Sequence, residues 1–190
     1  MLNDNDSPRF TAFSNLIRSI SCDHHKLVID EESMRDKLLL CVECDEVDYP
    51  KIVGSQGQNV RAIEVIYALA AWRDESKDGV VRASTPDTSK RAPKAAFKLN
   101  PKWGEKDLLA ILKPILSVCF DRGAVEVKEV NHETMIVRIS ISGYDGTTHL
   151  SDIGKCPPLS FATVEESMTR ILRALVKANG RDIEVEMNEL

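Results

Sequence analysis

Two glycines three positions apart, Gly54 and Gly57, stand between an apolar pair, Ile52-Val53, and a stretch with helical periodicity. Glycine reaches backbone angles that other residues resist, and it puts no side chain in the way of a ligand. A helix that begins there aims its unbonded amides and the positive end of its dipole at the turn. The chemistry this suits is anion binding, with one or two phosphates of an extended chain as the ligand. Ser55, Gln56, Gln58 and Asn59 add neutral hydrogen-bonding groups, and Lys51 and Arg61 add nearby positive charge. The candidate binding set is therefore Lys51, Gly54, Ser55, Gln56, Gly57, Gln58, Asn59 and Arg61.

Other constellations point to less. The glycine turn lacks the lysine and serine that a P-loop places after its glycines, and no nucleophile–base pair or dinucleotide fingerprint appears, so no enzyme activity is expected. Cys41 and Cys44, with Cys22, His24 and His25 upstream, are zinc-ligand types. Residues three apart on a strand point to opposite faces, so these cysteines read as structural, and no metal or cofactor is expected. Asp45, Glu46 and Asp48, with Glu43 nearby, lack converging partners and read as a solvated helix start. His132 and His149 read as isolated turn or surface residues, and Trp72 and Trp103 as packing anchors.

The chain has 190 residues, 43% hydrophobic and 29% charged, which suits one ordinary domain or two small ones. Five scattered cysteines do not make a disulfide framework and fit reduced thiols in the cytosol. Apolar runs such as Leu38–Val42 are too short to span a bilayer, and the first 25 residues have no basic start or apolar stretch. The expectation is a cytoplasmic protein with no membrane partner. Net charge is −5, with the acidic excess in residues 1–90, which argues against strong sequence-blind phosphate binding but leaves room for a local basic patch.

The elements that must position the turn follow from periodicity. Residues 1–9 read as a disordered tail. Phe13, Leu16, Ile17 and Ile20 recur at helical spacing over Phe10–Ile20. Leu27–Ile29 reads as a short strand, Asp30–Ser33 as a polar turn and Lys37–Cys44 as a second strand. A short helix fits within Asp45–Val53 with Pro50 held to an early position. Val60, Ile63, Ile66, Tyr67 and Ala70 mark one face of a long helix, and Gly79–Val81 begins a strand after it. Residues 84–104, with Pro86, Pro93 and Pro101 among Lys90, Arg91, Lys94, Lys98 and Lys102, read as a basic linker and a solvated tether.

The second half repeats the order. Leu108, Ile111, Leu112, Ile115 and Cys119 mark a helix that Pro114 should bend or split. Val125–Val130 and Met135–Ile141 are strands around an Asn131–Glu133 turn, and Gly143–Ser160 is an irregular loop. Val164, Met168, Ile171, Leu172, Leu175 and Val176 mark a last helix from about Ala162, ended by Asn179-Gly180 and followed by the strand Ile183–Glu186.

Ile52-Val53, the G-x-x-G of Gly54–Gly57, and a helix with Val60 and Ile63 at packing offsets resemble the KH domain. The order helix, strand, strand, short helix, long helix, strand over residues 10–83 looks like its type II, bacterial arrangement, and the nearest likeness is to the small bacterial KH proteins. The resemblance implies a groove for about four nucleotides of single-stranded RNA, clamped along the backbone by Gly54, Ser55, Gln56 and Gly57. Family members often carry a lysine or arginine inside the loop. Here it holds Ser-Gln, which implies modest affinity with strong salt dependence. The second half lacks a glycine pair before its long helix; Lys155–Ser160, with Pro157 and Pro158, stands there instead. Gly143-Tyr144-Asp145-Gly146 follows a strand, carries an acid and reads as a turn.

The expected fold is α+β: two tandem type II KH-like units, each a three-stranded sheet packed on helices. Their bounds are 10–83 and 105–190, the second a degenerate copy for packing or for binding a protein partner. The units would dock through their second helices and sheet edges. The expected function is to hold short single-stranded RNA without catalysis; the alternative is a protein-interaction scaffold whose KH-like folds have lost RNA.

Overall fold

Helix α1 runs from Pro8 to Ile20. Ser7 caps it, its hydroxyl accepting the Phe10 amide at 3.0 Å, and Pro8 occupies the first turn, where a missing amide hydrogen leaves nothing unsatisfied. Phe13, Leu16, Ile17 and Ile20 form its buried face, as their spacing predicts. The computed structural model describes residues 7–21, 27–85, 104–130, 134–142, 160–178 and 182–189. The basic linker over 86–103, Cys22, His24, His25, His132, His149, Asn179-Gly180, the Gly143–Gly146 string and the Lys155–Leu159 stretch lie outside the described residues.

Strands β1 (Val28–Ser33) and β2 (Lys37–Glu43) pair antiparallel, Val28 opposite Glu43 and Ser33 opposite Leu38. Asp30–Ser33, expected as a turn, continue the strand; the reversal lies at Met34–Asp36, where the Met34 amide donates to the Lys37 carbonyl at 2.8 Å. The reason is Glu31. It points inward, buried, and takes a two-point contact from buried Arg9 of α1, Nε at 3.1 Å and Nη2 at 2.7 Å. The Tyr67 hydroxyl donates to the same carboxylate at 2.6 Å, and Arg9 reaches on to Glu75 at 3.0 Å and to Asp74. Burial opposes charge on Arg9, but the hydrogen bonds and charge of Glu31 more than offset it and hold the guanidinium firmly protonated. A polar strand residue is thus a core residue because its partners come from two other elements.

Strand β3 (Asp78–Ser84) joins β2 in parallel, Lys37 opposite Asp78, giving the order β1-β2-β3. Parallel neighbours need a crossover. Here it is helix α2 (Tyr49–Val53), a single 3-10 turn over Ser55–Gly57, and helix α3 (Gln58–Glu75). The sheet connection therefore fixes where the glycine turn sits. Strand β3 lies tight against α3: a Cβ on Gly79 would stand 2.6 Å from the Ala68 Cα.

The second half has the same order. Helix α4 (Glu105–Cys119), β4 (Arg122–Glu129), β5 (Thr134–Ser142), α5 (Phe161–Ala178) and β6 (Asp182–Glu189) form a second sheet ordered β4-β5-β6, antiparallel and then parallel. Of the two effects expected of Pro114, a bend or a split, the split does not occur: α4 runs unbroken through it. Both Pro114 and Ala110, whose carbonyl loses its amide partner, are exposed, so water can satisfy that oxygen.

The two halves meet through their helices: α3 packs on α5 and α1 on α4, each against its counterpart. The sheets remain separate three-stranded units, so the expected sharing of sheet edges does not occur among the described residues. One continuous apolar cluster runs through both halves, from Phe13 and Leu40 to Leu112 and Leu172. This explains α3. Beyond the predicted face of Ile63, Ile66, Tyr67 and Ala70, its Ala62, Ala68, Leu69 and Ala71 are buried too, because α3 has a sheet on one side and the other half on the other. At the junction the buried Cys119 thiol donates to the Ile66 carbonyl at 3.5 Å, and Arg73 pairs with Asp121 at 2.9 Å. No helix among the described residues is long and apolar enough to cross a membrane.

Candidate functional site

The approach to the glycine turn is locked before the turn begins. The Asp45 carboxylate accepts the Val47 and Asp48 amides, each at 3.0 Å, which shapes the entry into α2. Asp48 is buried and accepts from the Ser21 hydroxyl and from Lys51 Nζ, the latter at 2.9 Å. For Asp48 the reading as part of a solvated helix start is thereby corrected, while Glu43 and Glu46 are exposed. Asp48 is a core carboxylate that ties the end of α1 to α2, because a hydroxyl and an ammonium converge on it. Pro50 sits in the first turn of α2, as expected.

The turn then uses three left-sided residues in four. Gly54 has φ 74° and ψ 175°, a region essentially reserved for glycine; Gln56 (φ 54°) and Gly57 (φ 76°) are left-handed helical. The Gly54 amide donates to the Pro50 carbonyl at 2.9 Å, the Gly57 amide to the Gly54 carbonyl at 3.2 Å, and the Gln58 amide to the Ser55 carbonyl. The amides of Ser55 and Gln56 take no part in these bonds. They stand just ahead of the first turn of α3. A Cβ on Gly57 would meet only Val60 Cγ1, at an ordinary 3.9 Å, whereas one on Gly54 would meet Asn59 Cγ at 2.6 Å. Asn59 fills that position and donates its side-chain amide to the Lys51 carbonyl at 2.8 Å. The missing side chain at Gly54 makes room for the protein's own brace.

A cleft of about 510 Å³ opens beside the turn. Pro50, Lys51, Gly54, Ser55, Gln58 and Asn59 line one wall, and Arg170, Arg173, Ala174 and Lys177 of α5 line the other. Five of the eight residues expected from sequence thus share the cleft. Gln56 and Gly57 belong to the turn without lining it, and Arg61, exposed on α3, lies outside it. Lys51 is at the wall, but its ammonium is held by Asp48. Gln58 accepts a hydrogen bond from Arg170, which also stands 3.7 Å from Glu166. Arg173 and Lys177 are exposed, and no carboxylate among the described residues pairs with either.

The sequence reading missed these three cations. Their signal was there: positions 170, 173 and 177 fall on one face of α5, away from the apolar face of Val164, Met168, Ile171, Leu172, Leu175 and Val176. What no spacing rule could supply is that this face borders a turn more than a hundred residues earlier. The result is a cationic cleft in a chain of net negative charge.

The cysteines lie elsewhere. Cys41 is half-buried on β2, and Cys44 is buried just past the strand's end, its thiol 3.9 Å from the Ser84 carbonyl. Burial and then the charges of Asp48 and Asp45 push the Cys44 thiol up to about 11; burial and then Glu32 raise Cys41. Compared with protein-family models and with curated proteins, the chain matches none.

Proposed function

We propose that this chain binds short single-stranded RNA by its sugar–phosphate backbone at the Gly54–Gly57 turn and performs no chemistry on it. In this reading residues 10–83 act as a KH-like module of the type II order, followed by a second unit of the same order without the glycine turn. The observation that carries it is the pair of Ser55 and Gln56 amides, outside the turn's own hydrogen bonds, beside a cleft of about 510 Å³. Amides fixed in this way receive a phosphate oxygen without rearrangement, and they do so regardless of the base attached. The repeated element order and the parallel crossover that holds the turn at the sheet's end also support it. The described residues lining the cleft include no histidine, cysteine, aspartate or glutamate, which favours holding over cleaving.

The test is fluorescence anisotropy with a labelled pool of short single-stranded RNAs at low salt. Asp replaces Ser55 and Gln56, both exposed, and Asp tolerates the left-handed backbone at position 56. The expected result is a loss of about tenfold or more in affinity, roughly 1.4 kcal/mol, from two carboxylates facing the phosphate. Unchanged affinity removes the turn from the site, and an absence of binding by the unaltered chain favours a protein-interaction scaffold.

A further inference from the structure

The two walls of the cleft have complementary deficits. The turn offers backbone donors, yet it has no cation of its own, and the ammonium of Lys51 is committed to Asp48. The α5 wall offers cations: Arg170, Arg173 and Lys177 lie within seven positions of one another, roughly 10 Å of helix, and among the described residues Arg170 alone of the three stands near an acid, Glu166 at 3.7 Å. An exposed pair of like charges one turn apart, such as Arg173 and Lys177, is unfavourable to keep together unless something anionic answers it. Here it faces the only feature of the neighbouring wall already shaped for an anion.

We propose that the second unit supplies the phosphate-neutralising charge that the turn lacks. The ligand's backbone then crosses the junction, one phosphate on the Ser55 and Gln56 amides and the following ones along Arg170, Arg173 and Lys177. This rests on the reading of the turn as a backbone clamp and deepens it: the ligand is a strand with several consecutive phosphates, not a mononucleotide. The second unit is then part of the binding site and not only a packing piece. The Arg170–Gln58 hydrogen bond gives the two walls a direct tie at the place where the strand passes from one to the other. Docking of α3 on α5 becomes a condition for binding, since it sets the two walls of the cleft beside each other.

The experiment measures affinity for a labelled eight-nucleotide single-stranded RNA of mixed sequence against salt concentration. The proteins are the unaltered chain, Arg173→Gln/Lys177→Gln, Lys113→Gln and Ser55→Asp/Gln56→Asp. For single strands the slope of log affinity against log salt is about −0.7 per neutralised phosphate. The unaltered chain is expected near −2, and Arg173→Gln/Lys177→Gln near −0.7, with affinity down about tenfold or more at 50 mM salt. Lys113→Gln, an exposed cation on α4 outside the cleft, leaves both unchanged. Glutamine keeps the stem and polarity at exposed sites, and thermal melts of each variant confirm that the fold is intact. If Arg173→Gln/Lys177→Gln keeps slope and affinity while Ser55→Asp/Gln56→Asp loses binding, the composite site is overturned and the clamp stands. If the α5 variant loses binding and the turn variant does not, the clamp is overturned and with it the path proposed here. Ultraviolet cross-links from the bound strand to peptides of both walls support the crossing path; cross-links to one wall alone overturn it.

Discussion

Replacing Gly54 by alanine isolates what the first glycine of the turn is for. Two terms add. The backbone there, φ 74° and ψ 175°, is in the region that only glycine occupies readily, worth about 1–3 kcal/mol to any other residue. The new methyl group would also stand 2.6 Å from Asn59 Cγ, 2.8 Å from its Oδ1 and 2.9 Å from its backbone nitrogen. Backbone cannot give way, so Asn59 must move, and its 2.8 Å bond to the Lys51 carbonyl is lost at about 1 kcal/mol. The sum is about 2–4 kcal/mol. Gly57 offers the internal control. It is also left-handed, at φ 76°, but its nearest foreign atom would be Val60 Cγ1 at an ordinary 3.9 Å. Gly57→Ala should therefore cost only the left-handed term, about 1–2 kcal/mol. Urea unfolding reads both: with a slope of about 2 kcal/mol per molar, Gly54→Ala lowers the midpoint by about 1–2 M and Gly57→Ala by about half that. Adding Asn59→Ala to Gly54→Ala should recover part of the loss, since the clash with the side chain goes while the backbone strain stays. Equal midpoints for the two glycine variants would refute the idea that Asn59 braces the turn through the space at Gly54.

Arg9→Met should destabilise by about 3–5 kcal/mol, because it strands the buried carboxylate of Glu31; the triple change Arg9→Met/Glu31→Met/Tyr67→Phe should recover most of it in the same urea assay. If the triple variant is no better than the single one, the network does more than cancel its own charges. Thiol labelling with peptide mapping reads the junction: Cys119 sits fully buried against the Ile66 carbonyl with its thiol pushed up by that burial, so at pH 8 it should label far more slowly than Cys41 and only as the halves separate. Equal labelling rates would mean that α4 and α3 part readily.

Within each half, sequence spacing determined most of what is seen, since helical and strand periodicities report which side of an element meets a core. The buried faces of α1, α4 and α5 are the ones their apolar residues marked, and Pro50 and the glycine pair stand where their backbone limits allow. Spacing is silent on what an element's second side meets. The second side of α3 reads as indifferent until α5 and α4 pack on the helix. Glu31 and Asp48 read as surface acids until Arg9, Tyr67 and Ser21 arrive from other elements. The cleft followed the same rule. Its turn is local, because φ and ψ at four successive residues make it. Its charge is not: Arg170, Arg173 and Lys177 face that turn only because each helix packs on its counterpart, an arrangement decided by apolar area and fit across the junction, which leave no mark in the order of residues on either side.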